Sequence, residues 1–119
     1  MPKKKILIID DNAAILDVLG IILEDDGFDV MTKLNGETLK KDIKRFMPDL
    51  IFLDVMLQGE NGIEIAKNLK GHKETSDISI VLISASSNMK KKLSESKADD
   101  FLPKPFELKT LIEKAKKYA

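Results

Sequence analysis

Two carboxylates stand side by side at Asp10 and Asp11, directly after the aliphatic run Ile6 to Ile9. A third, Asp54, follows the apolar run Leu50 to Leu53. A hydroxyl, Ser84, follows Ile78 to Ile83, and Lys104 with Pro105 follows the weaker run Asp100 to Leu102. Carboxylates held together repel one another unless their pKa values rise or a cation joins them. With oxygen ligands and no His or Cys beside them, the favoured ion is a hard one. Mg²⁺, with Mn²⁺ as the alternative, takes a few carboxylates, keeps several waters and bridges to a phosphate. On the far side of such a phosphate the Ser84 hydroxyl can donate a hydrogen bond and the Lys104 ammonium can act as a point charge.

Each residue also has an ordinary role. Asp10, Asp11 or Asn12 can cap the helix that follows, Asp54 can belong to a turn, Ser84 can cap a helix and Lys104 can be solvated. What favours chemistry is that all of them fall at the same end of successive strands. The runs Ile6 to Ile9, Leu50 to Leu53 and Ile78 to Ile83 are nearly all apolar rather than alternating, as in strands covered on both faces. Phe28 to Leu34 and Asp100 to Leu102 complete five strands. In an open α/β sheet, ligands bind beyond the carboxyl ends of the strands, where strand order reverses.

The intervening stretches have helical period. Ile15, Val18, Leu19, Ile22 and Leu23 predict the buried stripe of a first helix, stopped by Gly27. Gly36 to Phe46 predicts a second helix ended by Pro48, Gly62 to Leu69 a third, and Leu108, Leu111, Ile112 and Ala115 a last one. Met89 to Lys97 is the poorest candidate, with Lys90, Lys91 and Lys92 adjacent and only Met89 and Leu93 large and apolar. Five β-α units predict an α/β three-layer sandwich with right-handed crossovers.

The chain has 119 residues, enough for one hydrophobic core, and residues 1–119 are expected to form one domain. Its 43% hydrophobic and 34% charged content is that of a globular body. Twenty basic residues balance twenty acidic ones, which argues against a general attraction to nucleic acid or anionic membrane. The absence of cysteine excludes disulfides and thiolate chemistry. No apolar run approaches the roughly 20 residues of a membrane span, and Met-Pro-Lys-Lys-Lys leads into too short an apolar segment for a secretory signal. A cytoplasmic location is the expectation. His72, the single histidine, sits in a Gly71-His-Lys-Glu loop and is expected to be solvated.

The segments Ile8-Ile9-Asp10-Asp11-Asn12, Asp49 to Leu57 with Gly62 after them, Ile83-Ser84-Ala85, and Ala98-Asp99-Asp100-Phe101-Leu102-Pro103-Lys104-Pro105-Phe106 together resemble the receiver domain of bacterial two-component response regulators. The resemblance covers almost the whole chain and is closest to the stand-alone, chemotaxis-regulator type. It implies a doubly wound, flavodoxin-like sheet of five parallel strands in the order 2-1-3-4-5. It implies that Asp54 is the phosphoacceptor, attacking a phosphohistidine of a sensor histidine kinase or histidine phosphotransfer protein. Asp10, Asp11, Asp54 and the Met56 backbone carbonyl would form the Mg²⁺ environment. Ser84, the Ala85 backbone amide and Lys104 would hold the phosphate, Ser84 and Phe101 would act as the switch pair, and the Lys104–Pro105 bond would be cis.

At three positions the chain departs from the family pattern. Leu57-Gln58 stands where Leu-Pro is frequent, Lys97 where a Gly often precedes Ala-Asp-Asp, and Phe101 lacks the hydroxyl of a tyrosine. Ala13, Leu16 and Gly20 form a second small or apolar stripe on the first helix, expected to accept helices of a phosphotransfer partner. Output is expected through a downstream protein target, by a stand-alone receiver or one belonging to a longer regulator, with no direct nucleic-acid contact. Catalysis is expected to be limited to the chain's own phosphorylation and slow dephosphorylation. Three alternatives are a Mg²⁺-dependent aspartyl-phosphate phosphatase, a degenerate receiver used only for binding, and a flavin module. The phosphatase would want a second acid two residues after its nucleophile, and a flavin phosphate would be repelled by Asp10 and Asp11.

Overall fold

A computed structural model describes residues 2–85 and 87–119. Its strands and helices alternate: β1 (Lys5–Ile9), α1 (Ala13–Asp25), β2 (Asp29–Lys33), α2 (Leu39–Phe46), β3 (Leu50–Asp54), β4 (Met56–Leu57), β5 (Glu60–Asn61), α3 (Gly62–Gly71), β6 (Ser79–Ser84), α4 (Met89–Ser96), β7 (Asp100–Pro103) and α5 (Leu108–Tyr118). The main sheet runs β2-β1-β3-β6-β7, and every neighbouring pair in it is parallel. Counting only these five strands, the order is the expected 2-1-3-4-5. The antiparallel β4-β5 hairpin was not foreseen. Strands of two residues leave no periodicity to read.

The apolar strands divide their side chains between two layers, as a period of two requires. Ile6, Ile8, Leu50, Phe52, Val81 and Ile83 face α1 and α5, where Leu16, Leu19, Leu23, Leu111 and Ala115 cover them. Leu7, Ile9, Ile51, Leu53, Ile80 and Leu82 face the other way, under Leu39 and Ile43 of α2, Ala66 and Leu69 of α3 and Met89 of α4.

Helix α1 corrects the expected stripe. Its buried residues are Leu16, Leu19, Gly20 and Leu23, whereas Val18 is 52% and Ile21 61% exposed. Leu16 and Gly20, expected as a docking stripe, therefore lie in the core and offer no surface; only Ala13 of that trio is exposed. Apolar residues occupy most of this helix's circumference, so spacing alone allowed two rotations. The observed one places leucines on the sheet and Gly20 against Thr32, whose methyl group would lie 3.7 Å from an added Cβ.

Helix α2 begins at Leu39 rather than Gly36, because the Asn35 side chain accepts from the Glu37 amide and shapes a turn first. Helix α4 does form, but both ends sit on left-handed residues: Asn88 at φ 62° and Lys97 at φ 64°. Lys97 thus occupies a conformation that glycine adopts without strain.

Candidate functional site

Each residue singled out at a strand end lies at the carboxyl edge of the sheet. Asp10 follows β1, and its amide donates to the Lys33 carbonyl at 3.1 Å, continuing the β1-β2 ladder. The cap of α1 is Asn12, whose Oδ1 accepts from the Ile15 amide at 3.2 Å. That assignment frees Asp10 and Asp11 from capping. Asp10 Oδ1 instead accepts from the Asn12 amide at 2.9 Å, leaving Oδ2 for the pocket.

Asp54 closes β3 and is 4% exposed. Its Oδ1 accepts from the Met56 amide at 3.1 Å, and its Oδ2 lies 3.3 Å from Lys104 Nζ. Lys104 Nζ also reaches Asp10 Oδ2 at 3.0 Å, so one ammonium joins two carboxylates that are 44 residues apart in sequence and come from different strands. The lysine is placed by its own amide, which donates to the Ser84 carbonyl at 2.8 Å; its bond to Pro105 is cis, as expected. Gly62 allows α3 to start against this loop: a Cβ there would collide with the Asp54 carbonyl and come within 2.7 Å of Val55 Cα.

One oxygen each from Asp10, Asp11 and Asp54 lies within 4.8 Å of the others. Three carboxylates against one ammonium leave a negative excess at a site where Asp10 is fully buried. Oxygen donors at this spacing fit a hard divalent cation, with Asp11 on the exposed side where ion and waters can enter. Burial is the main influence on Asp54 and pushes its pKa above the ordinary carboxylate value, assisted by the Asp10 charge; the Met56 amide and Lys104 only partly oppose it. For Lys104, burial disfavours the ammonium, but the hydrogen bond and charge of Asp10, joined by Asp54, outweigh it and raise its pKa.

The remaining expected residues fall nearby. Ser84 is fully buried at the end of β6, adjacent in register to Pro103. Ala85 is exposed and shares a shallow, mainly apolar groove of about 580 Å³ with Asn12, Ile15, Val18, Lys104 and Phe106. Phe101 is half-buried on β7 and packs into the layer formed by α2, α3 and α4. A larger cleft, of about 1250 Å³, lies between α2 and the segment after α3 and includes none of the pocket carboxylates. His72 is exposed, its Nδ1 2.7 Å from the Asn68 carbonyl and remote from the pocket residues in its contacts.

Residues 6–116 match the response regulator receiver domain family. The chain belongs to that family. This receiver is 37% identical, over 98% of its length, to the phosphate regulon transcriptional regulatory protein PhoB of Pseudomonas aeruginosa, and covers 52% of that protein. It spans about half the length of the curated relatives it matches. The solved receiver domain of NtrX from Brucella abortus superposes with a TM-score of 0.84 at 32% identity, covering 95% of this chain and 96% of that one. Chemotaxis protein CheY4 of Vibrio cholerae superposes with a TM-score of 0.89 at 23% identity, over 99% of this receiver and 100% of that chain, a likeness of fold alone. The receiver therefore has the flavodoxin-like, CheY-like fold and belongs to phosphorelay signalling.

Ile15 and Val18, expected in the buried stripe of α1, line this groove instead, because the rotation of the helix, which the periodicity left undetermined, turns Val18 outward and leaves Ile15 half-buried. Phe106, half-buried beside them, carried no expected role of its own.

Proposed function

We propose that this receiver takes a phosphoryl group onto Asp54 from a phosphohistidine of a kinase or phosphotransfer protein. The observation that carries this reading is the clamp on Asp54: Met56 holds Oδ1, Lys104 lies against Oδ2, and the buried Asp10 stands beside both. A carboxylate fixed in this way is presented in one orientation, and phosphoryl transfer depends mainly on in-line positioning and charge neutralisation. An Asp54 oxygen forms the new O–P bond as the N–P bond breaks, and the departing imidazole keeps the electron pair. Lys104, already paired with Asp54, would neutralise the equatorial oxygens.

Asp10, Asp11 and Asp54, with the Met56 carbonyl, would hold Mg²⁺, which when bound supplies positive charge to the transferring group. Ser84 and the Ala85 amide lie at the end of the adjacent strand, where a phosphate on Asp54 would draw on them as donors. The gain of charge at Asp54 would move Ser84 and Phe101 and alter the surface of α4 and β7, where a downstream protein would bind. Helix α4 buries only Met89 and Ser96, so it has little core contact to resist such a shift.

The phosphodonor partner would lie over the groove of Ile15, Val18, Pro105 and Phe106, which opens beside Lys104. This surface replaces the Leu16 and Gly20 stripe, and Val18→Glu is the variant that would weaken docking while leaving the clamp intact. The protein would work in the cytoplasm, and its catalysis would be confined to its own phosphorylation and dephosphorylation.

Incubation with a small acyl-phosphate donor and Mg²⁺, followed by intact mass measurement, tests the reading. One phosphoryl adduct is expected, absent in Asp54→Ala and without Mg²⁺. An adduct that persists in Asp54→Ala moves the acceptor elsewhere, and a wild type that takes none from several donors is a receiver used only for binding.

A further inference from the structure

Met56, whose amide donates to Asp54 Oδ1, lies in a hairpin that has little stability of its own. Strands β4 and β5 have two residues each, joined by the exposed Gln58-Gly59 turn with Gly59 at φ 72°. An isolated two-stranded hairpin is marginal in water, and one this short needs an outside anchor. Leu57 supplies one, buried in the layer under α2 and α3.

Glu60 supplies the other. Its Oε1 accepts from the Gly36 amide at 2.8 Å, linking the hairpin to the loop between β2 and α2 across 24 residues. Gly36 makes room for it: a Cβ there would lie 3.0 Å from Glu60 Oε2 and 3.3 Å from Ile65 Cδ1. The carboxylate thus fills the space a side chain would take, and an ionised acceptor on a backbone amide forms one of the stronger hydrogen bonds. Glu60 pairs in register with Leu57, the neighbour of Met56, whose amide holds Asp54 Oδ1.

We propose that Glu60 is a positioning residue for the phosphorylation site, pinning the hairpin to the β2-α2 loop so that the Met56 amide stays against Asp54. Glu60 touches neither Asp54 nor Lys104 among its hydrogen-bond partners, so its effect passes through the hairpin. The effect on chemistry rests on Asp54 being the acceptor; the effect on the Met56 amide does not.

The test uses the full chain with Glu60→Ala and Glu60→Gln and two readouts. Amide hydrogen exchange is followed in metal-free protein at Gly36, Met56 and, as a core control, Leu7. The rate of phosphoryl-adduct formation is followed with a small acyl-phosphate donor and Mg²⁺. In Glu60→Ala, exchange at Gly36 and Met56 should rise about fivefold with Leu7 unchanged, and adduct formation should slow about tenfold. Glu60→Gln keeps an acceptor oxygen and should stay near wild type in both. Faster exchange at Gly36 with Met56 and adduct formation unchanged would confine Glu60 to the β2-α2 loop and overturn the proposal. An equal rise at Leu7 would also overturn it, since the loss would then be global. If the wild type forms no adduct, the acceptor reading fails, and Met56 exchange alone decides whether the tether exists.

Discussion

Two of the lysine-carboxylate clusters on this receiver are tuned in opposite directions. At the carboxyl edge, Lys104 lies 3.0 Å from Asp10 and 3.3 Å from Asp54. On β7, Asp100 Oδ2 takes Lys114 Nζ at 2.7 Å and the Tyr118 hydroxyl at 2.9 Å, while Oδ1 takes the Phe101 amide at 2.8 Å. Burial raises the pKa of both acids. For Asp100 the three donors overcome it and bring the value below the ordinary one. For Asp54 the donors do not, because Lys104 is shared with Asp10, whose charge pushes the same way as burial. A carboxylate whose charge is fully answered is structural. One left under-compensated beside two others has capacity for a cation.

The largest expected effect tests that capacity directly. Asp10→Asn should weaken Mg²⁺ binding by about a hundredfold, since a ligand and part of the negative excess go together. Calorimetric titration measures it, and Asp100→Asn should leave Mg²⁺ affinity unchanged. Equal weakening in both variants would erase the distinction between the clusters. Next in size is Lys104→Met, which leaves two buried carboxylates without their shared cation. It should lose about 2 kcal/mol of stability to urea at neutral pH without metal, and Mg²⁺ should restore part of it.

Stability against pH gives a smaller but sharper contrast. Asp54 has a folded pKa above its unfolded value, so its contribution to stability is complete below the ordinary value of 3.8 and is lost as pH rises through the folded value. In metal-free protein, Asp54→Asn should therefore be more stable than wild type at neutral pH, with the advantage shrinking as pH falls towards 3.8. Asp100 has the opposite sign: its contribution is present above the unfolded value and lost as pH falls through the lowered folded one. Asp100→Asn should cost about 1 kcal/mol at neutral pH, and that cost should fade in acid. Urea unfolding across a pH series checks both, and curves bending the same way would refute the opposed tuning.

The two clusters also differed in how readable they were. Asp10, Asp54 and Lys104 each follow an apolar run, so their meeting could be inferred from strand ends and the open-sheet rule without any side-chain contact. Nothing local marks Asp100, whose side-chain partners lie 14 and 18 residues on and reach it only because α5 packs back over the sheet. The pairing of Glu60 with Gly36 is hidden for the same reason. Helix α1 shows a different limit: with Ile15, Leu16, Val18, Leu19, Ile21 and Ile22 all apolar, composition could not choose its inner face, and the packing of Gly20 against β2 did.

Tyr118→Phe is the smallest and most discriminating change to the Asp100 cluster, because it deletes one donor and keeps the ring. Lys114 and the Phe101 amide remain, so the Asp100 pKa should move only part of the way back towards its ordinary value, and the loss at neutral pH should be about 0.5–1 kcal/mol. Tyr118 also carries its own signature: burial first, then its hydrogen bond to Asp100 and the charge there, raises its pKa above 10.0. For a group shifted in that direction, stability is full below the unfolded value and falls as pH rises through the folded one. Wild type should therefore lead the variant most at intermediate pH. The lead should narrow in acid, as Asp100 takes a proton, and again in alkali, as Tyr118 loses one. A lead that stays constant across the whole range would show that the hydroxyl contributes through packing rather than through the carboxylate it faces.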